Sequence, residues 1–369
     1  MIVAAALAAG LIVQAAMPAM AFYQTPSNKK GLLISQQSNQ CLSDLSELGL
    51  GQVVANIGTD VNINACDPLA SYCRRNGITM TMIIINRYHN SNIIPAVDQV
   101  GGTGTSFGGT YGFNVLTSEG EAAVRSYARS IAAHYSDSVS NWVIGNEVND
   151  ACQWDYNGIM DIDAHADSYA KAFRVFYEEI KNVNPDAHVL IPFDMRWNAT
   201  TGEQGNYPVS QYLPKLNERL KDLDYGIAWH AYPVHFLTKP EFLDDDGITF
   251  DLSTPNINLK NINVLTDYMQ NADMLSPNGT VRHLLLTEQG FTSACEDGEN
   301  RHAEAISQAY AIARDNPYIE GFYLNRQVDA GSQVAVGGAF GLWTRNESAA
   351  YDETPLTKKK AWYTYQSLQ

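Results

Sequence analysis

Basic residues are scarce: 24 Lys and Arg stand against 40 Asp and Glu, a formal net charge of −16 over 369 residues. Nucleic acid is bound through clustered Lys and Arg, so this balance argues against it as a partner. A neutral ligand fits better, although local arginines could still hold a sulfate or a uronic acid. Cysteine is also sparse. The five present (Cys41, Cys66, Cys73, Cys152 and Cys295) form no C-x-x-C pair, which argues against a structural zinc site. The eight histidines are scattered and form no H-E-x-x-H, so a zinc hydrolase of that kind is excluded and no metal is expected. The glycines at 101–104 and 108–109 lack the G-x-x-x-x-G-K-[ST] of a phosphate cradle, and no cofactor is expected. The acidic run at 244–246 lacks the alternating ligand spacing of a calcium loop and reads as a solvated turn. After residue 21 no apolar run is long enough to span a bilayer.

Residues 1–21 are apolar and small, and Ala19-Met20-Ala21 before Phe22 has the A-x-A form of a secretory cleavage site. The expectation is a signal peptide over 1–21, a polar linker over 22–28 and one catalytic domain over 29–369. An uncleaved anchor is the alternative, because no Lys or Arg precedes the apolar run. Export implies a secreted, periplasmic or cell-surface protein without stable membrane insertion, here expected to be a monomer. It also permits one or two disulfides. A bridge between Cys152 and Cys295 is one option, and separate buried thiols are the expectation.

The chain alternates short apolar runs with amphipathic segments. Strands are expected at 29–35, 52–57, 78–85, 141–147, 188–191, 225–233, 284–288 and 319–324. Helices are expected at 41–48, 68–76, 117–135, 164–182, 209–220, 259–274, 299–316 and 357–368, the third opened by a Ser118/Glu121 capping pair. Eight strand–helix units are the count of an α/β fold of the (β/α)8 TIM-barrel type, and the length suits such a barrel with insertions. The long insertions fall at 86–116 and around 234–255, after strands three and six. Loops of that length are usually functional.

Two of the runs end in a carboxylate. Asn-Trp-Val-Ile-Gly-Asn-Glu ends the fourth strand at Glu147, and Leu-Leu-Leu-Thr-Glu ends the seventh at Glu288. In a parallel barrel both would meet at the carboxyl-terminal mouth, where such folds do their chemistry. Two carboxylates facing across a pocket are the working parts of glycoside hydrolysis. His230 and Tyr232 share a face at the end of the sixth strand, so Tyr232 can donate to Glu288 and His230 can meet substrate hydroxyls. By position, the other candidate sugar contacts are Arg87, Tyr88 and His89 after strand three, Asp194, Arg196 and Trp197 after strand five, and Tyr323 and Asn325 at strand eight. Trp197 is the first choice among them, because a Trp in a polar loop needs a reason to be there.

Gly145-Asn146-Glu147, His230-x-Tyr232 and Thr287-Glu288-Gln289-Gly290, in that order on strands four, six and seven, resemble the clan A glycoside hydrolases, including the family 5 cellulases and mannanases. The resemblance spans residues 29–368. It implies that Glu147 is the acid/base, Glu288 the nucleophile and Asn146 a partner of the sugar 2-hydroxyl, in a retaining enzyme acting on an oligo- or polysaccharide. The chain departs from the clan where strand two ends in Asn56-Ile57-Gly58 instead of an Arg, a place that Arg87 or Arg326 could fill, and where strand eight lacks the usual Trp. It is therefore a divergent branch. A transglycosylase, or a non-catalytic carbohydrate-binding barrel, would share these motifs.

Overall fold

The computed structural model describes residues 22–95, 110–158 and 160–369. The expected signal peptide and the glycines at 101–104 and 108–109 of the first long loop lie outside them. Strands β1 (Lys30–Leu33), β2 (Gln52–Gly58), β3 (Thr79–Ile85), β4 (Val139–Ile144), β5 (His188–Phe193), β6 (Tyr225–His230), β7 (Leu284–Gln289) and β8 (Gly321–Leu324) close into one barrel in chain order. Every neighbouring pair is parallel, and β8 returns to β1 with Gly31 opposite Tyr323.

The strands read as unbroken apolar runs because both of their faces are covered. Outward residues such as Val53, Met82, Trp142, Val189, Ile227 and Phe322 pack in the layer beneath the helices. Their neighbours Val54, Ile83, Val143, Leu190, Ala228 and Leu285 fill the barrel axis. The described helices are α1 (Asn39–Glu47), α2 (Asp67–Asn76), α3 (Ser118–His134), α4 (Ala151–Trp154), α5 (Ile162–Val183), α6 (Val209–Leu220), α7 (Asn263–Met269), α8 (Gly298–Asp315), α9 (Gly331–Val334) and α10 (Lys360–Ser367), of which the short α4 and α9 stand at the mouth. Among these helices none is long and apolar enough to cross a membrane.

Several expectations shift in detail. The cap of α3 is Thr117, whose hydroxyl accepts from Gly120 N at 3.0 Å, one residue before the expected pair. The stretch expected to be helical at 259–274 shortens to α7 and one 3-10 turn at Ala272–Met274. The stretch expected as the last helix begins instead with a strand, β10 (Pro355–Lys358), antiparallel to β9 (Trp343–Arg345). With α9, that hairpin makes a third long excursion, after β8, that the sequence reading missed. All five thiols are free, and that of Cys152 donates to Asp150 Oδ1 at 3.1 Å.

The segment expected to be a linker is fastened to the amino-terminal end of the barrel. Phe22 N donates to Asn184 Oδ1 (3.0 Å), Gln24 N to Ser140 Oγ (3.0 Å), and Tyr23 Oη to Asn141 Oδ1 (3.3 Å). Polar side chains at the strand starts need partners, and this stretch supplies them.

The two ends of the chain are tied at Asp44 on α1, which is buried. Its carboxylate accepts from Trp362 Nε1 of α10 (2.7 Å), Trp343 Nε1 of β9 (2.9 Å) and Gln327 Nε2 (3.0 Å). Asp44→Ala strands these donors, so the variant is expected to lose about 3 kcal/mol of unfolding free energy, while Asp44→Asn, which keeps one acceptor, loses less. Urea denaturation of both variants checks the order; equal midpoints for wild type and Asp44→Ala would remove the knot from the account.

Candidate active site

The site lies where β4, β6, β7 and β8 run out. After Ile144 the chain turns through Gly145, at a left-handed φ of 85°, where a side chain is poorly tolerated. Glu147 follows at φ 36°, a conformation a non-glycine residue holds only against some backbone strain. Tyr169 Oη on Ile144 O (2.7 Å), and Val148 N on Pro192 O (3.1 Å), fix this corner from both sides. On β7, Glu288 pairs in register with His230 of β6, with an irregularity on each side of β7.

His230 is fully buried and joins the two acids. Its Nδ1 lies 2.8 Å from Glu147 Oε1 and 4.0 Å from Glu288 Oε2. Those oxygens are therefore no farther apart than the two distances laid end to end, under about 7 Å, a span within which the ~5–5.5 Å of retaining glycosidases falls. Glu288 is held from its other side. Tyr232 Oη, just past the end of β6, donates to Glu288 Oε1 at 2.6 Å, and Asn325 Nδ2 donates to the same oxygen at 3.2 Å.

The two carboxyls sit in different electrostatic settings. Burial pushes the Glu147 carboxyl up to about 7; the bond from His230 opposes this, and the charges of Asp194 and Glu288 add to it. His230 is disfavoured as a cation by burial, yet Glu288 and Glu147 together carry it above its ordinary range. The group around Glu147 thus holds a proton near neutrality. Burial first and the Glu288 charge second keep the Tyr232 phenol protonated, so it remains a donor to Glu288.

A cleft opens over the pair in two lobes that share Glu147, Glu288 and Trp154. One, of about 270 Å³, is lined by Asn56, Ile85, Arg87, Thr110 and Asn146. The other, of about 260 Å³, is bounded by Met195, Phe236, Leu237, Val336 and Phe340, with Asp194 and Arg196 on its polar side. Glu147, Asp150 and Asp194 bring carboxylate oxygens within 4.8 Å of one another. The Arg196 guanidinium answers that charge, pairing with Asp194 and, at 3.3 Å, with Asp150. A second group with ligand-like atoms, His188, His283 and Glu320, lies at the opposite end of the barrel. A larger hollow of about 750 Å³ between α6 and the segment 268–275 is also away from the strand ends that carry Glu147 and Glu288.

Of the residues proposed from sequence, Glu147, Glu288, His230, Tyr232, Asn146, Arg87, Asp194 and Arg196 line the cleft. Asn325 lies behind Glu288, buried. Tyr88 and His89 line neither lobe: Tyr88 is exposed with its ring 5.9 Å from Tyr111, and His89 Nδ1 meets Arg87 O. Trp197 is a correction. It is buried, donates to Leu252 O (3.2 Å) and packs edge-on against Tyr268, so its aromatic surface is spent under the loop. Tyr323 is another: it fills the barrel axis, donating to Gln52 Oε1 (2.7 Å), and Gly31 leaves it room, since a Cβ there would come within 2.6 Å of its ring. Arg326 pairs with Glu353 at 3.0 Å, so Tyr232 and Asn325, not this arginine, hold Glu288. Sequence reasoning missed Asp150 and Trp154, although both stand just downstream of Glu147, and Phe236 and Phe340, which carry no local signal.

Solved structures similar to this chain are clan A glycoside hydrolases built on the same eight-stranded barrel. A family 39 enzyme from the gut symbiont Bacteroides cellulosilyticus WH2 aligns with a TM-score of 0.62 and 14% identity over 94% of this chain and 64% of its own. The family 1 β-glucosidase of Thermotoga maritima gives 0.54 and 15% over 88% and 84%. A psychrophilic family 10 endo-β-1,4-xylanase gives 0.53 and 16% over 93% and 97%. The chain thus spans less than two thirds of the family 39 enzyme's length, and at these identities the likeness is one of fold. No curated protein matches the sequence. Residues 59–369 match DUF5722, a family of unknown function, and the chain belongs to that family.

Proposed function

We propose that this protein is a retaining glycoside hydrolase in which Glu147 is the acid/base and Glu288 the nucleophile, acting on an O-glycosidic bond of a carbohydrate. The single observation that carries the reading is the contact of one imidazole nitrogen, His230 Nδ1, with both carboxylates, at 2.8 and 4.0 Å. Around it the two acids are equipped for opposite work. Glu147 keeps a proton near neutrality, whereas Glu288 receives two hydrogen bonds from Tyr232 and Asn325, which favour the carboxylate.

In the first step Glu288 attacks the anomeric carbon while Glu147 passes its proton to the departing oxygen. The bond to the leaving group breaks and an ester to Glu288 forms. In the second, Glu147, now a carboxylate, takes a proton from water as that water attacks the same carbon, and the ester breaks. His230 steadies Glu147 in both states, donating to the carboxylate when it is ionised. Asn146 and Arg87 in the polar lobe are placed to meet sugar hydroxyls. The fold shared with families 39, 10 and 1 supports this reading.

Glu288→Gln is expected to lower kcat by roughly 10⁴-fold or more. The wild-type product, followed by proton NMR before mutarotation, should carry the anomeric configuration of the substrate; an inverted product would contradict the nucleophile assignment.

The pH dependence has a definite sign. Protonated Glu147 is the form that assists departure and its carboxyl titrates at about 7, so kcat/KM should hold below that pH and fall about tenfold per unit above it. In Glu147→Ala, assayed with a dinitrophenyl leaving group that needs no proton, the alkaline limb should vanish; an unchanged limb would take the acid role from Glu147. The same raised pKa means that the folded chain retains a proton the unfolded chain has lost, so this group's contribution to stability declines as pH rises from the carboxylate range toward 7.

Tyr232→Phe removes one charge-assisted hydrogen bond from Glu288 and is expected to cost about 10–100-fold in kcat/KM, with the fold intact by circular dichroism. A rate within twofold of wild type would show that Asn325 alone suffices.

A further inference from the structure

The two lobes of the cleft differ in chemistry, and the difference bears on what leaves when the bond breaks. In the first lobe the groups facing the carboxylates include Asn56, Asn146, Arg87 and Thr110, all able to pair with hydroxyls. In the second, Tyr232, Phe236 and Phe340 form a connected aromatic wall, with ring centroids 4.7 Å apart for Tyr232–Phe236 and 6.0 Å for each of the other two pairs. Leu237 and Val336 extend that wall toward solvent. Phe340 is buried and seated on Gly290, where a Cβ would come within 2.8 Å of its ring, so the wall is fixed in place. At its rim Val334 and Val336 stand 37% and 55% exposed, apolar side chains that no other part of the described chain covers. Exposed apolar surface beside a cleft commonly marks a ligand contact.

A sugar can lay its C–H face on an aromatic ring, but its edge hydroxyls then need polar neighbours, and Leu237 and Val336 beside this wall supply none. The reacting sugar therefore belongs in the polar lobe. Resting on the hydrolase reading, we infer that the second lobe is an aglycone site for an apolar group, an alkyl or aryl moiety, so that the enzyme releases sugar from a glycoside of a hydrophobic alcohol or phenol. Phe236 and Val336 are its specificity-determining residues. The other polar groups of that lobe are few: Asp194 and Arg196, already paired with each other, Gln333, whose Oε1 accepts from Arg326 Nη1 at 3.4 Å, and Gln153.

The test separates the two readings. Fluorides of β-glucose, β-galactose, β-xylose and β-glucuronic acid carry no aglycone, so their hydrolysis by the wild-type protein reports on Glu147 and Glu288 alone. For the sugar turned over fastest, kcat/KM is then compared among its methyl glycoside, its n-octyl glycoside below the micellar concentration, and a disaccharide bearing it at the non-reducing end. A buried methylene is worth roughly fourfold in affinity, so a rise of at least tenfold from methyl to octyl is expected, with the octyl glycoside ahead of the disaccharide. Phe236→Ser and Val336→Asp should each bring the octyl-to-methyl ratio toward one. A flat methyl-to-octyl series, or a disaccharide that outruns the octyl glycoside, overturns the inference while fluoride hydrolysis leaves the hydrolase reading standing. If no fluoride is hydrolysed, that reading falls, and the calorimetric affinity ratio of n-octyl to methyl β-glucoside on the wild-type protein decides the aglycone site by itself: tenfold or more upholds it, and equal affinity overturns it.

Discussion

A buried imidazole between two carboxyl groups is the constraint on which the rest of this molecule depends. His230 has no exposed surface and its Nε2 has no hydrogen-bond partner among the described residues, so Nδ1 carries its polar contacts there. Burying one acid beside another is costly unless a proton or a cation relieves the repulsion. Here His230 supplies that relief, and it does so asymmetrically: close to Glu147, farther from Glu288. The barrel provides the rigid mounting. Its axis is packed with aliphatic side chains below the site, so the ends of β4, β6 and β7 cannot drift independently, and the spacing of the acids is fixed before any ligand arrives.

Around that centre the acidic surroundings are managed by local pairing. Asn149 links to Asp194 through its side chain in both directions, Nδ2 to Oδ1 at 2.8 Å and Oδ1 from Asp194 N at 3.0 Å. Arg196 then takes the remaining charge of Asp194 and Asp150. The arginine is held by its own neighbours, and Glu147 is left hydrogen-bonded to His230, with its burial and the charges of Asp194 and Glu288 keeping its proton available against that bond. In a chain with a net charge of −16, the acids next to Glu147 are thus answered locally by Arg196.

Much of this was legible in the sequence because the barrel strands are buried on both faces and so appear as uninterrupted apolar runs, each closed by a polar residue at the mouth. Glu147, Glu288, His230 and Tyr232 were found in that way. What was not legible depended on tertiary choice. Trp197 reads as a binder in a polar loop, but the carbonyl of Leu252 and the ring of Tyr268 draw it inward. Tyr323 lies near the end of a short strand in sequence, yet its side chain runs down the axis to Gln52. The stretch at 22–28 looks like a tether, whereas its backbone amides at Phe22 and Gln24 pair with Asn184 and Ser140 at the barrel floor. The excursion after β8, which supplies Val336 and Phe340, has no hydrophobic period to announce it.

The tie at Asp44 bears on synthesis as well as on the finished molecule. Its partner Trp362 lies 318 residues downstream, so a chain leaving the ribosome carries the Asp44 carboxylate without that donor until Trp362 has emerged. The seam between β1 and β8 is likewise open until β8 has emerged. A nascent chain that has not reached β8 is therefore an incomplete arc of staves with bare edges, the kind of exposed intermediate that chaperones exist to hold, and ring closure waits on residues 321–324.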